Sequence, residues 1–141
     1  MLQITKIFQF EMAHAIHNYQ GSCGTIHGHT YQLHVTVTAR LPVSGYLHQP
    51  PFIMDFKELK QLVQLSVLDQ LEHGTIISED YLKENSRLGH FSHLIIWKAE
   101  PTAENILLFI SDALQKQLPE NILLKKLKIF ETAGSYAEWE N

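Results

Sequence analysis

His27-Gly28-His29 is the segment whose residue types most directly suggest chemistry. Residues i and i+2 of a β-strand project to the same face, so the two imidazoles would leave the backbone side by side. His14 ends an earlier segment and shares the parity of its apolar side chains. Three imidazoles on the buried faces of neighbouring strands, with one open position, are the usual ligand set of a catalytic zinc site. Imidazole also binds copper, iron and nickel, and a pair of structural histidines would show the same spacing.

Two strands are predicted to carry these histidines, because both segments alternate with a period of two. Even-numbered residues are mostly apolar from Leu2 to His14. Odd-numbered residues from His27 to Ala39 share one face, and the opposite face is polar and rich in threonine. Residues 17–24 lie between these segments and end in two glycines that flank Ser22 and Cys23, which indicates a loop.

Two helices are predicted farther along the chain. From Asp55, a plausible N-cap, apolar residues recur at helical spacing, and the helix is expected to end at His73-Gly74. The second helix is predicted from Pro101-Thr102 to about Leu118. Residues 78–91 between them are polar and indicate an exposed excursion.

The remaining apolar segments predict further strands. Leu94 to Trp97 is a short strand-like run, residues 126–131 alternate again, and a last short strand is expected to end near Trp139. Strands paired by hairpins, with two helices inserted between them, predict an antiparallel α+β domain over residues 1–141.

Cys23 lies in the glycine-rich loop before His27 and has two open interpretations. A lone cysteine is commonly a small buried apolar side chain. Beside a bound cation, the pKa of the same thiol would fall, and the thiolate would serve as a base or nucleophile.

Glu131 falls on the apolar face of its predicted strand, together with Leu127 and Ile129. A carboxylate there is costly unless it meets a charged or bidentate partner. The chain offers only Arg40 and Arg87 as arginine partners. A ligand with a guanidinium-like edge, such as the 2-amino-4-oxo edge of a pterin, is the alternative partner.

His73 follows Glu72 at the end of the first predicted helix, and Asp69 lies one turn earlier on the same face. A histidine oriented by a carboxylate is a general acid or base. An exposed histidine that interacts favourably with the helix dipole is the other interpretation.

Composition narrows the class of protein. The 141 residues include 11 Lys and Arg, 15 Asp and Glu, nine His and one Cys, for a net charge of −4. This mild acidity argues against binding to nucleic acid. A single cysteine excludes an intrachain disulfide and a thiolate-only metal site. No apolar run is long enough for a signal peptide or a membrane span, so we expect a cytoplasmic protein without membrane contacts.

Six motifs follow one another along nearly the whole chain. They are Phe10-Glu11-Met12-Ala13-His14, Cys23-Gly24-Thr25-Ile26-His27-Gly28-His29, Met54-Asp55-Phe56-Lys57-Glu58-Leu59-Lys60, Leu71-Glu72-His73, Pro101-Thr102-Ala103-Glu104-Asn105 and Glu131-Thr132. In this order the chain resembles the 6-pyruvoyl-tetrahydropterin synthase / 6-carboxytetrahydropterin synthase family. The resemblance implies a T-fold, a four-stranded antiparallel sheet with two helices on one side. Three subunits would close a twelve-stranded barrel, and two trimers would stack into a hexamer with active sites between subunits.

The resemblance also implies roles for individual residues. The zinc ligands would be His14, His27 and His29. Cys23 would be the catalytic thiol, Glu131 would anchor the pterin, and Thr102 would lie near the pterin edge.

The catalytic dyad departs from the family pattern. The family usually has Asp-His, whereas Glu72 precedes His73 in this chain. Either the longer Glu72 side chain or Asp69 would therefore orient His73.

The activity implied by the resemblance is conversion of 7,8-dihydroneopterin triphosphate to 6-carboxy-5,6,7,8-tetrahydropterin, with release of triphosphate and acetaldehyde, for queuosine and other 7-deazapurines. The compact Met54-Asp55-Phe56 stretch favours this branch over 6-pyruvoyl-tetrahydropterin synthesis, which retains the side chain. Two readings from other classes stay open. One is a non-catalytic zinc-dependent pterin or purine-binding module, and the other is a structural metal site that holds an oligomer together.

Overall fold

Six strands form one mixed sheet in the computed structural model, which describes residues 1–141. The strands are β1 Gln3–His14, β2 His27–Ala39, β3 Thr75–Ser78, β4 Leu94–Trp97, β5 Ile122–Thr132 and β6 Ser135–Glu140. Their order across the sheet is β4-β3-β1-β2-β5-β6. The neighbours among β1, β2, β5 and β6 pair antiparallel, while β3 runs parallel to both β1 and β4.

The sheet has six strands and not the four that were predicted, because the two short strands β3 and β4 are added to it in parallel. Four antiparallel strands are present, and β4 occupies its predicted residues, but β3 had no counterpart in the prediction. Ile76 and Ile77 of β3 are both fully buried, so neither face of this strand is polar and no period-two alternation marks it.

Residues 78–91 are mostly exposed, as predicted, but they begin with a short helix that is anchored by two buried residues. Ser78 caps the short helix α3 Glu79–Glu84 by accepting a hydrogen bond from the Tyr81 amide, and both residues are buried. Tyr81 is the one buried residue of this helix, which is too little periodicity to distinguish the helix from a polar loop.

Two longer helical segments lie close to their predicted positions. The first comprises α1 Phe56–Val63, a π-helical stretch Gln64–Leu68 and α2 Asp69–Leu71. The second is α4 Ala103–Gln115. Asp55 and Thr102 are the N-caps, each accepting a backbone hydrogen bond, and His73 takes a left-handed φ of 57° just beyond α2. None of the helices combines the length and hydropathy that crossing a bilayer requires.

The core lies between the sheet and these two helical segments. It joins side chains from the odd-numbered face of β2 and from β5 to the inner faces of α1 and α4, including Leu33, Val35, Leu59, Val63, Ile106, Ile110, Leu127 and Ile129. The helices therefore cover the face of the sheet that the parity of the strands predicts to be buried. The other face is polar, with a Thr5–Thr36 hydrogen bond of 2.8 Å and ion pairs from Lys126 and Lys128 to Glu138.

Besides the outer edge of the short strand β4, two strand edges have no partner within the chain. β1 contacts β3 only at Ala13 and His14, so its Gln3 to Phe10 edge is open, and β6 pairs with β5 alone. Open edges of this length are surfaces on which another strand can pair.

Candidate active site

The antiparallel register of β1 and β2 brings the three predicted metal ligands together. His14 lies opposite His27, and Met12, which shares the parity of His14, lies opposite His29. One nitrogen from each imidazole lies within 4.8 Å of the others. The three histidines come together because alternate residues of a strand point to the same face, which for these two strands is the face covered by the helices.

Backbone carbonyls fix the tautomers of two of these rings. His14 Nδ1 donates to the Pro101 carbonyl oxygen at 2.7 Å, and His27 Nδ1 donates to the Thr25 carbonyl oxygen at 2.6 Å. A carbonyl oxygen only accepts, so Nδ1 carries a proton in both rings, and in a neutral imidazole Nε2 then presents a lone pair. Such outer hydrogen bonds are the usual support of histidines that bind metal.

The three histidines fit a cation better than they fit an apolar core. His14 Nε2 and His27 Nε2 are 3.0 Å apart with their lone pairs directed at each other. Burial lowers the pKa of His14, which opposes the protonation that would turn this contact into a hydrogen bond. His29 Nε2 is buried without any partner, and burial also lowers the pKa of His29. A metal ion with imidazole ligands would satisfy all three nitrogen atoms.

A pocket of about 310 Å³ opens beside these histidines. Four residues that the sequence singled out, from four separate segments, line it: His14, Cys23, Thr102 and Glu131. The other lining residues are Ile16, Tyr19, Ala103, Glu104, Ser135, Tyr136 and Ala137. An imidazole from the candidate metal cluster, a thiol and a carboxylate therefore line one pocket.

Cys23 lies on a single turn of 3₁₀-helix, Ser22–Gly24, and is half-buried with a free thiol. Its carbonyl oxygen accepts from the Ile16 amide at 2.8 Å, which closes the loop at its base. A Cβ atom on Gly24 would come within 2.3 Å of the Tyr19 carbonyl oxygen, so only glycine allows this close approach.

Glu131 lies where β5 departs from regular pairing, since the register with β6 shifts between Phe130 and Thr132. Its Oε1 atom is 3.7 Å from His14 Nε2, and no arginine pairs with it. Arg40 donates instead to the Glu120 carbonyl oxygen. The carboxylate is thus three-quarters buried, lines the pocket and keeps its acceptor positions free for a ligand.

Thr102 places the N-terminus of α4 at the pocket. Its hydroxyl accepts from the Asn105 amide at 3.3 Å, and the preceding residue, Pro101, supplies the carbonyl that orients His14. The start of α4 is therefore tied to His14, one of the three candidate metal ligands, through adjacent residues.

His73, Glu72 and Asp69 do not line this pocket. Glu72 Oε1 lies 3.5 Å from His73 Nε2 and accepts from the Glu11 amide, whereas Asp69 accepts from the Gln64 side chain. The His73 side chain is 77% exposed. Of the two carboxylates, Glu72 is the one beside the imidazole, and neither Glu72 nor His73 lines the pocket of its own chain.

Tyr31 is a neighbour of the histidine cluster that the sequence interpretation missed, with its ring centroid 5.3 Å from that of His29. It follows His27 and His29 at the same parity, which was the available signal. Its ring stacks on Phe10 with centroids 5.3 Å apart, and its hydroxyl is buried without a partner. Burial, reinforced by the negative charge of Glu131, raises its pKa, so the hydroxyl stays protonated and remains a donor.

Comparison with known proteins decides the family. The protein-family model for 6-pyruvoyl tetrahydropterin synthase matches residues 3–141 of the chain. This chain belongs to that family. The 6-carboxy-5,6,7,8-tetrahydropterin synthase of Haemophilus influenzae is 30% identical to it over 145 residues, covering 99% of each chain.

Solved structures support the fold independently of sequence. An uncharacterised protein from Wolinella succinogenes superimposes with a TM-score of 0.76 at 20% identity, covering 99% of this chain and 98% of the other. The 6-pyruvoyl tetrahydropterin synthase of Caenorhabditis elegans gives a TM-score of 0.70 at 19% identity, with 99% and 95% covered. The chain therefore has the T-fold of these neighbours, with an α+β mixed sheet.

Proposed function

We propose that this protein is a zinc-dependent 6-carboxy-5,6,7,8-tetrahydropterin synthase. It converts 7,8-dihydroneopterin triphosphate and water to the 6-carboxy product, triphosphate and acetaldehyde. The observation that carries the proposal is the meeting of His14, Cys23, Thr102 and Glu131 at one pocket. The name of the Haemophilus influenzae relative favours the carboxy branch over the pyruvoyl branch.

Glu131 anchors the pterin ring. A carboxylate with free acceptor positions matches the paired N–H donors of the 2-amino-4-oxo edge, as it would match a guanidinium group. Because Glu131 is partly buried, these hydrogen bonds are stronger than they would be in water. They hold the pterin ring so that the side chain of the substrate extends toward His14.

Zinc is the metal that we assign to the three histidines, because three neutral imidazoles and one open position are its catalytic ligand set. When bound, zinc supplies a Lewis acid for the side-chain hydroxyls of the substrate. The carbonyls of Pro101 and Thr25 hold the imidazoles with Nε2 available for it.

Cys23 moves a proton on one face of the substrate as a thiolate, and its place on the pocket wall suits this role. His73, oriented by Glu72, serves the other face. Since these two residues do not line the pocket of their own chain and the His73 side chain is 77% exposed, they serve the pocket of a neighbouring subunit.

A trimer built through the open edges of β1 and β6 provides such neighbours. Four antiparallel strands from each of three subunits would close a twelve-stranded barrel, and the polar face of the sheet would line its centre. Two trimers would then form a hexamer.

Turnover by wild type and Cys23→Ala tests the proposal. We expect wild type to release acetaldehyde from 7,8-dihydroneopterin triphosphate. Cys23→Ala should bind about one zinc per chain and lose at least ~100-fold in kcat, the lower end of what a positioned proton-transfer group contributes. Unchanged turnover in Cys23→Ala would remove the thiol from the mechanism, and zinc and pterin binding without turnover by wild type would indicate a binding module.

A further inference from the structure

The segment that follows β3 contacts the loop that carries Cys23. Within α3, Tyr81 is buried, and its hydroxyl donates to the Gly24 carbonyl oxygen at 3.0 Å across 57 residues of chain. Gly24 lies between Cys23 and Thr25. The hydrogen bond therefore holds the peptide next to the thiol and next to the carbonyl that orients His27.

A small apolar cluster fixes the Tyr81 ring. Ala15 and Ile77 are fully buried against it, and Ile26 packs on the same cluster. Ala15 precedes the Cys23 loop and Ile26 follows it, so both ends of the loop pack around Tyr81. The position of the Tyr81 hydroxyl is thus fixed by α3 and by the residues on either side of the Cys23 loop.

A second contact joins the same helix to the same loop. His17 Nε2 lies 3.1 Å from Glu84 Oε2, and the His17 amide donates to Glu100 at 2.8 Å. The Glu84 side chain is mostly exposed, so this contact contributes less than the buried Tyr81 hydrogen bond. Both contacts hold the loop against α3.

We propose that Tyr81 is a positioning residue for Cys23: its hydrogen bond to Gly24 keeps the thiol at the pocket wall. This inference rests on the proposed function for the catalytic importance of Cys23 but not for the position of the thiol. It also gives a role to the segment that follows β3, which contributes no residue to the lining of the pocket.

Alkylation of the only cysteine tests the position of the thiol directly, because iodoacetamide can label only Cys23. Tyr81→Phe removes the hydroxyl and keeps the ring in its cluster. We expect alkylation to become roughly two- to tenfold faster and kcat to fall by a similar factor with KM unchanged, the range that loss of one hydrogen bond supports. Tyr46→Phe, at a site that is 90% exposed, is the matched control and should leave both rates unchanged.

Ile110→Val controls for general loss of stability. Ile110 is fully buried in α4 and lines no part of the pocket, and this substitution costs about as much stability as one hydrogen bond. Faster alkylation in Tyr81→Phe than in Ile110→Val supports the proposal. Equal alkylation in the two variants, or a wild-type kcat in Tyr81→Phe, would overturn it. Failure of the proposed function would show separately, as full turnover in Cys23→Ala.

Discussion

Replacing Glu131 with glutamine isolates the contribution of one charge to pterin recognition. The substitution keeps the shape of the side chain but exchanges a carboxylate oxygen for an NH₂ group, which would face the N–H donors of the pterin edge. Glu131 Oε1 lies 3.7 Å from His14 Nε2, and burial lowers the pKa of His14, which disfavours its charged form. No strong ion pair is therefore lost from the free protein, and the effect falls on the ligand.

The magnitude follows from the hydrogen bonds that the carboxylate can make. Hydrogen bonds to a charged group contribute about 1.5–3 kcal/mol, so pterin binding should weaken roughly 10- to 150-fold. Burial lowers the pKa of both His14 and His29, and the Glu131 charge partly opposes this. Glutamine should therefore leave both imidazoles neutral, and the zinc content should stay near one per chain.

Titration with neopterin, followed by fluorescence or calorimetry, measures the effect without turnover. Glu104→Gln is the matched control, because Glu104 lines the same pocket from the first turn of α4. We expect weaker neopterin binding in Glu131→Gln and near wild-type binding in Glu104→Gln. Equal affinities for wild type and Glu131→Gln would refute the assignment of Glu131 as the anchor of the ring.

Three further predictions concern the metal site and the core. His29→Ala should lower zinc affinity more than ~100-fold, because loss of a residue that only hydrogen-bonds to a metal ligand already costs about 10–100-fold. Elemental analysis after dialysis measures the zinc content, and the control His48→Ala should retain its zinc. After chelation, the free energy of unfolding should fall as the pH drops below 6.5. Burial lowers the pKa of His14 and His29 in the folded protein, so the unfolded chain binds more protons in this range. Equal stability in urea titrations at pH 7.5 and 5.5 would contradict this prediction. Leu127→Ala, in the core, should lose about 2–5 kcal/mol in urea unfolding. Leu108→Ala, at an exposed position, should lose less than ~1 kcal/mol.

The sequence predicted the parts of the site that depend on local periodicity. Alternation placed His14, His27 and His29 on one face of two strands, and the register of β1 with β2 brings them together. Alternation also predicted β1 and β2 nearly to their ends. A periodic pattern determines both the element and the direction of its side chains, so this information is present in the residues themselves.

Other features had no local signal. β3 is buried on both faces, so it lacks the alternation by which strands are recognised. The carbonyl of Pro101 reaches His14 across 87 residues, and Tyr81 reaches Gly24 across 57. Contacts of this separation are made by the tertiary fold and leave no spacing in the sequence.

The roles of His73, Glu72 and Asp69 remain predictions of a different kind. Their sequence motif suggested a catalytic dyad, and Glu72 is the carboxylate beside His73. The pocket that they would serve belongs to another subunit in our proposal, and neither parity nor spacing within one chain specifies that arrangement.

Product analysis tests the central claim most directly. The zinc-loaded protein is incubated with 7,8-dihydroneopterin triphosphate, and the pterin product, triphosphate and acetaldehyde are quantified together. The proposed function predicts equal amounts of 6-carboxy-5,6,7,8-tetrahydropterin, triphosphate and acetaldehyde. Formation of 6-pyruvoyl-tetrahydropterin and triphosphate without acetaldehyde would contradict it.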